Sequence, residues 1–246
     1  VTVDDEPEVI VEGDHDRLAR SIADQLVSTL AALQAQGRVP SVVLTGGTIA
    51  DTVHRAVAER ADDGRVDWSR VDFYWGDERF VAPDSDDRNE RQVRRALLDH
   101  IDVDEARVHP IAADDGTLTL EDATARYADV VRDQVFDIVM LGVGPDGHVA
   151  SLFPGKATLA VDDRDTVAEP ASPKPPPARV SLTYRALNRG REVWFLVSGA
   201  GKSDAVARAL ARDDVTTTPA TGVHGTEQTV WMLDQGAASA LPADLR

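Results

Sequence analysis

The chain has 246 residues, with 26 Lys and Arg against 43 Asp and Glu, a formal net charge of −17 and no cysteine. That balance argues against a nucleic-acid binder, which needs a basic face toward the phosphate backbone, and the missing cysteines exclude disulfides, thiolate nucleophiles and Cys-ligated metals. No apolar run reaches the roughly 18 to 20 residues that span a bilayer, so a soluble, cytoplasmic protein without membrane partners is expected.

Asp14 to Gly37 carries Leu18, Ile22, Leu26, Leu30 and Leu33 at helical spacing and ends at a glycine, which predicts an amphipathic helix. The residues before it, 1–12, read only as an acidic terminus. Val42-Val43-Leu44 then forms a short apolar run, followed by Thr45-Gly46-Gly47-Thr48 and a helix-like stretch over 49–60. The same order of strand, turn and helix returns at 71–75 and 89–99, at 138–141 before a second glycine turn, and at 193–197 and 202–210. Residues 229–233 close the series.

Strands that are apolar on both faces and separated by helices predict an α/β fold, an open and largely parallel sheet with helices on both sides. The whole of 1–246 is expected to be one domain. Six of the 13 prolines fall between Pro154 and Ala178, including Pro173-Lys174-Pro175-Pro176-Pro177, so 154–178 is expected to be an irregular excursion from it.

In such sheets ligands gather beyond the carboxyl ends of the strands, where the polar turns of this sequence fall. Thr45-Gly46-Gly47-Thr48 opens a helix, whose free amides and dipole suit a phosphate; glycine also serves any tight turn. Gly76-Asp77-Glu78-Arg79 offers carboxylates and a guanidinium fork, or simply a solvated loop. The turn Gly142-Val143-Gly144-Pro145-Asp146-Gly147-His148 is more informative, because an imidazole that titrates near neutrality could activate water while Asp146 or Asp77 steadies it. His15, His54, His100, His109 and His224 are read as structural. Lys202 opens another helix, where the dipole does not favour it, so a bound anion or plain solvent exposure would explain its placement, and Arg179 supplies a further cation. No spacing typical of a metal site occurs.

Taken together, Thr45-Gly46-Gly47-Thr48, Trp75-Gly76-Asp77-Glu78-Arg79-Phe80-Val81, residues 142–155 (GVGPDGHVASLFPG), Arg179-Val180-Ser181-Leu182-Thr183 and Gly199-Ala200-Gly201-Lys202 resemble the 6-phosphogluconolactonase family in order and spacing. The resemblance covers roughly residues 8–235. It implies the fold of the sugar-phosphate isomerases and hydrolysis of 6-phosphoglucono-1,5-lactone to 6-phosphogluconate in the pentose phosphate pathway. It further implies His148 as the base, phosphate held by Gly46, Gly47, Thr48, Arg79 and Lys202, and neither metal nor organic cofactor.

The family often has Ser-Asn after the GDER segment where this chain has Arg88-Asn89; Asn89 still matches, and Arg88 would add a cation near the phosphate. The expected partner is a small sugar-phosphate lactone, and the expected assembly a monomer. The rivals are an amino-sugar-phosphate isomerase or deaminase, for which Ala150-Ser151-Leu152-Phe153-Pro154 is the wrong continuation, and a sugar-phosphate sensor, which would lack the histidine base and carry a DNA-binding extension.

Overall fold

The computed structural model describes residues 6–245. In chain order these form β1 (Glu8–Glu12), α1 (His15–Ala35), β2 (Ser41–Leu44), α2 (Thr48–Ala58), β3 (Asp72–Trp75), β4 (Asp77–Arg79), α3 (Asn89–Ala96), α4 (Leu120–Val130), β5 (Ile138–Gly142), β6 (Thr166–Glu169), β7 (Arg179–Leu182), α5 (Tyr184–Leu187), β8 (Glu192–Val197), α6 (Ser203–Leu210) and β9 (Gln228–Asp234), joined by loops and single 3-10 turns. Six strands form one sheet in the order β1-β9-β8-β5-β2-β3, with every neighbouring pair parallel.

The apolar runs form this sheet because both of their faces are covered. All four residues of β2 are buried, as are Ile138, Val139, Met140 and Leu141 of β5. α1 begins where the Asp14 carboxylate accepts the Arg17 amide at 2.8 Å, and it buries the stripe Leu18, Ile22, Leu26 and Leu30. Among the described residues no helix is long and apolar enough to cross a membrane.

Strand order places the site. From β2 the chain first moves outward to β3, and later returns to the other side of β2 as β5, from which β8, β9 and β1 extend. The sheet therefore changes direction between β2 and β5, where such sheets open a crevice past their carboxyl ends. The Thr45–Thr48 turn leaves β2 and the Gly142–His148 turn leaves β5, so both open into it.

Four features depart from the reading of the sequence. The acidic terminus contains an edge strand, β1, in which Val9, Ile10 and Val11 pair with Trp231, Met232 and Leu233 of β9. Asp77-Glu78-Arg79 follows the end of β3 but is not a solvated loop. It is β4, which pairs antiparallel with β7, and β7 pairs with β6, in a second sheet of three strands. The proline-rich stretch is consequently not irregular throughout, since β6 lies within it. α4 was not anticipated either, although Thr119 and Asp122 close a capping box at its start.

Candidate active site

A cavity of about 520 Å³ opens at the crevice, lined by both glycine turns together with Asp77, Arg79, Asn89, His148, Lys174, Arg179, Ser198 and Lys202. Its centre is the β5 turn. Gly144 donates its amide to the His148 carbonyl at 2.9 Å and accepts the Gly147 amide at 2.9 Å, folding the histidine back over the glycine. A Cβ on Gly144 would fall onto the His148 ring and the Asp146 carboxylate, so only glycine fits there. The ring also packs on Phe153, with centroids 4.6 Å apart.

His148 Nδ1 lies 2.5 Å from Asp146 Oδ1 and 3.2 Å from Lys174 Nζ, and Lys174 Nζ is 3.7 Å from the same Asp146 oxygen. Burial works against the charge on Asp146. The hydrogen bond and charge of His148, with the charge of Lys174, outweigh it and hold the carboxyl below the usual carboxylate range. An ionised Asp146 can only accept, so Nδ1 carries the proton of the neutral ring and Nε2 has the free lone pair.

Lys174 was not singled out from the sequence, yet it stands beside the histidine. Arg179, 5% exposed at the start of β7, fixes the proline run by donating from Nε to the Pro176 carbonyl at 2.8 Å and from Nη2 to the carbonyls of Lys174 and Pro175 at 3.2 Å each. These bonds occupy much of its fork. Arg179 therefore acts on the cavity chiefly through the loop it holds, and burial draws its pKa down.

At the other end, α2 begins at Gly47 with no side chain capping it, so its first amides open toward the cavity. Gly46 lets this turn approach Asn89, whose side-chain oxygen occupies the place a Cβ would take. Arg79 donates to that same Asn89 oxygen and to the Asp87 carbonyl at 3.1 Å, and its Nε has no partner. Lys202 Nζ donates to the Val143 carbonyl at 2.6 Å. Burial, then the charge of Lys174, lowers its pKa, with Asp146 opposing.

Two expected roles fail on geometry. Asp77 does not steady the histidine. Its Oδ2 accepts from Ser151 Oγ at 2.6 Å, its carbonyl accepts from Asn89 Nδ2 at 2.9 Å, and Arg179 Nη1 lies 3.9 Å from Oδ2. Arg88 is not a cation of the cavity. It is 3% exposed and lies behind β4, with Nη2 donating to the Ile111 carbonyl at 2.9 Å and standing 3.8 Å from Glu78 Oε2.

Glu78 in turn caps α3, accepting the amides of Asn89 and Glu90 at 2.7 and 2.8 Å. The helix thus takes its carboxylate from a neighbouring strand, and Arg88 compensates that buried charge. Among the described residues no group of three or more His, Asp or Glu side chains converges to hold a metal ion.

A parallel sheet with a histidine turn, a glycine-opened helix and several converging cations at its switch point is the architecture of a sugar-phosphate enzyme. The family model for glucosamine-6-phosphate isomerases/6-phosphogluconolactonase matches residues 13–231, and the chain belongs to that family.

Within it, the chain is 42% identical to a 6-phosphogluconolactonase of Mycobacterium bovis over 240 residues, which cover 94% of this chain and 96% of the relative. It is 40% identical to a 6-phosphogluconolactonase of Streptomyces coelicolor, covering 98% and 97%. Its fold superimposes on the crystal structure of the 6-phosphogluconolactonase from Thermotoga maritima with a TM-score of 0.82 at 30% identity, covering 93% of this chain and all of the other.

Proposed function

We propose that this chain is a 6-phosphogluconolactonase, hydrolysing 6-phosphoglucono-1,5-lactone to 6-phosphogluconate in the oxidative branch of the pentose phosphate pathway. The observation that carries this reading is the oriented base. Asp146 holds Nδ1–H of His148, and Nε2 is left to take a proton from water as the water oxygen bonds to the lactone carbonyl carbon. The tetrahedral intermediate then collapses with cleavage of the bond to the ring oxygen, and the proton held on Nε2 passes to that oxygen. Product and neutral histidine result.

Negative charge develops on the former carbonyl oxygen. Two turn amides, of Gly144 and Gly147, are already engaged within the turn. The ammonium of Lys174, held beside the histidine by the Arg179-anchored loop, is the donor we assign to that oxygen. The phosphate goes to the opposite end, onto the first amides of α2 with Arg79 and Lys202. These local donors outweigh a formal net charge of −17. One α/β domain working as a cytoplasmic monomer belongs to the same proposal.

The test is turnover of freshly prepared lactone, corrected for its spontaneous hydrolysis. Acceleration well above that background is expected. A protein that binds the phosphorylated sugar without turnover, or that instead deaminates glucosamine 6-phosphate, overturns the reading.

A further inference from the structure

His15 is the first residue of α1 and lines the cavity at the end occupied by the two helix-opening turns. Its Nδ1 lies 2.9 Å from Ser198 Oγ and its Nε2 lies 2.9 Å from Thr52 Oγ1. Each hydroxyl has a second partner that can only accept. Ser198 Oγ donates to Asp234 Oδ2 at 2.5 Å, and Thr52 Oγ1 donates to the Thr48 carbonyl at 3.1 Å. A hydroxyl has one proton to give, so with both protons used in this way the two oxygens must accept from the ring. Only the imidazolium keeps all four hydrogen bonds. Either neutral tautomer forfeits one.

The surroundings supply the matching charge. Burial opposes ionisation of Asp234, but the Ser198 hydroxyl, the amides of Ala237 and Gly199 and the charge of His15 hold its carboxyl below the usual range. Arg79 and Lys202 line the same cavity, Asp14 and Asp16 flank His15 in sequence at the start of α1, and Asp51, next to Thr52 on α2, is paired with Arg55 at 2.9 Å. The ring also bridges two elements far apart in sequence. Thr52 lies one helical turn beyond Thr48, and Ser198 begins the turn that leads to Lys202.

We propose that His15 is a specificity-determining residue, an imidazolium that ties the α2 opening to the Lys202 turn and adds the charge favouring a phosphorylated over an unphosphorylated lactone. The proposal rests on the reading of this cavity as a sugar-phosphate site, with the phosphate at the α2 end.

Two measurements test it. The first follows the His15 ring nitrogens by NMR in the 15N-labelled full chain, between pH 5.5 and 8.5, with and without inorganic phosphate. Both nitrogens protonated at pH 6.5, with a deprotonation midpoint that phosphate raises by about half a unit or more, is the expected result. A neutral ring at pH 6.5, or a midpoint that phosphate leaves in place, overturns it.

The second compares His15→Gln with wild type on the phosphorylated lactone and on gluconolactone. KM for the phosphorylated substrate should rise about tenfold, the size of one charge-assisted contact, with a much smaller change for the other. Equal losses on both substrates would reduce His15 to a structural clasp. If wild-type protein turns over neither lactone, the functional reading fails, while the phosphate response of the wild-type ring still decides the role of His15.

Discussion

The His148 turn and the β4–α3 block both gather carboxylates and cations within a few ångströms, and they differ in what remains uncommitted. Around His148 the Asp146 hydrogen bond and the nearby Lys174 ammonium both lie at Nδ1, so Nε2 is left to the cavity. In the block from Gly76 to Asn89, Glu78 is enclosed by three amides and Arg88, and Asp77 by Ser151 and Asn89. The lesson is that charged residues in a functional-looking motif divide into those that act and those that hold the actors. Arg79 is the cation of that block that lines the cavity, whereas Arg88 does not.

The sharpest test of this division is His148→Ala. It should fold normally and lose about two to four orders of magnitude in kcat, the range for a positioned general base. Circular dichroism and turnover on the same preparation check both halves. Wild-type kcat in the folded variant would mean that the uncommitted nitrogen is idle.

Next in size come the cations at the phosphate end. Arg79→Ala and Lys202→Ala should each lower kcat/KM for the phosphorylated lactone about 10- to 100-fold, from charge-assisted hydrogen bonds worth roughly 1.5 to 3 kcal/mol each. The loss on gluconolactone should be much smaller. Equal losses on both substrates would place these cations at the reacting carbonyl and erase the distinction between the two ends of the cavity.

Lys174→Met should act on kcat rather than on KM. A fall of about tenfold or more, with the pH profile displaced because the ammonium beside Nδ1 is gone, fits a donor to the developing oxyanion. A rise confined to KM would move Lys174 to substrate binding.

These residues also mark how far sequence reached into structure. The five strands β2, β3, β5, β8 and β9 were legible because, buried on both faces, they are uninterrupted apolar runs bounded by turns. The members of the small sheet were not, since β4 is Asp-Glu-Arg and β7 begins with a buried arginine. Their polar groups are satisfied outside the sheet ladder, Asp77 by Ser151, Glu78 by the amides that open α3 and Arg179 by carbonyls of the proline run, which no local periodicity announces. His148 and Asp146 could be paired from a two-residue spacing, whereas Lys174 reaches His148 across 26 residues through a loop held by Arg179. His15 meets Ser198 across 183 residues, so its place in the cavity had no local signature at all.

The smallest expected effect on catalysis comes from the scaffold itself. Arg88→Met removes the cation beside buried Glu78, so it should lower stability more above pH 7, where the carboxyl ionises, than below it, while turnover per folded molecule changes far less than in the cavity variants.

The pH dependence gives a second handle. Burial, against the pull of Arg88 and three amides, raises the Glu78 carboxyl to about 7. The folded state therefore holds this proton more tightly than the unfolded chain, and the contribution of Glu78 to stability is full below its unfolded pKa and declines as pH rises toward 7. Buried His54 has the opposite sign. Its pKa is lowered to about 4, so its contribution is lost as pH falls from 6.5 toward that value.

Urea unfolding of wild type and Glu78→Gln across pH 4.5 to 7 separates the two, because His54 is common to both proteins and cancels in the difference. Wild type should lose stability relative to the variant as pH rises. A flat difference would mean that Glu78 binds its proton equally in the folded and unfolded states, so that the pull of Arg88 and the three amides cancels the effect of burial on its pKa.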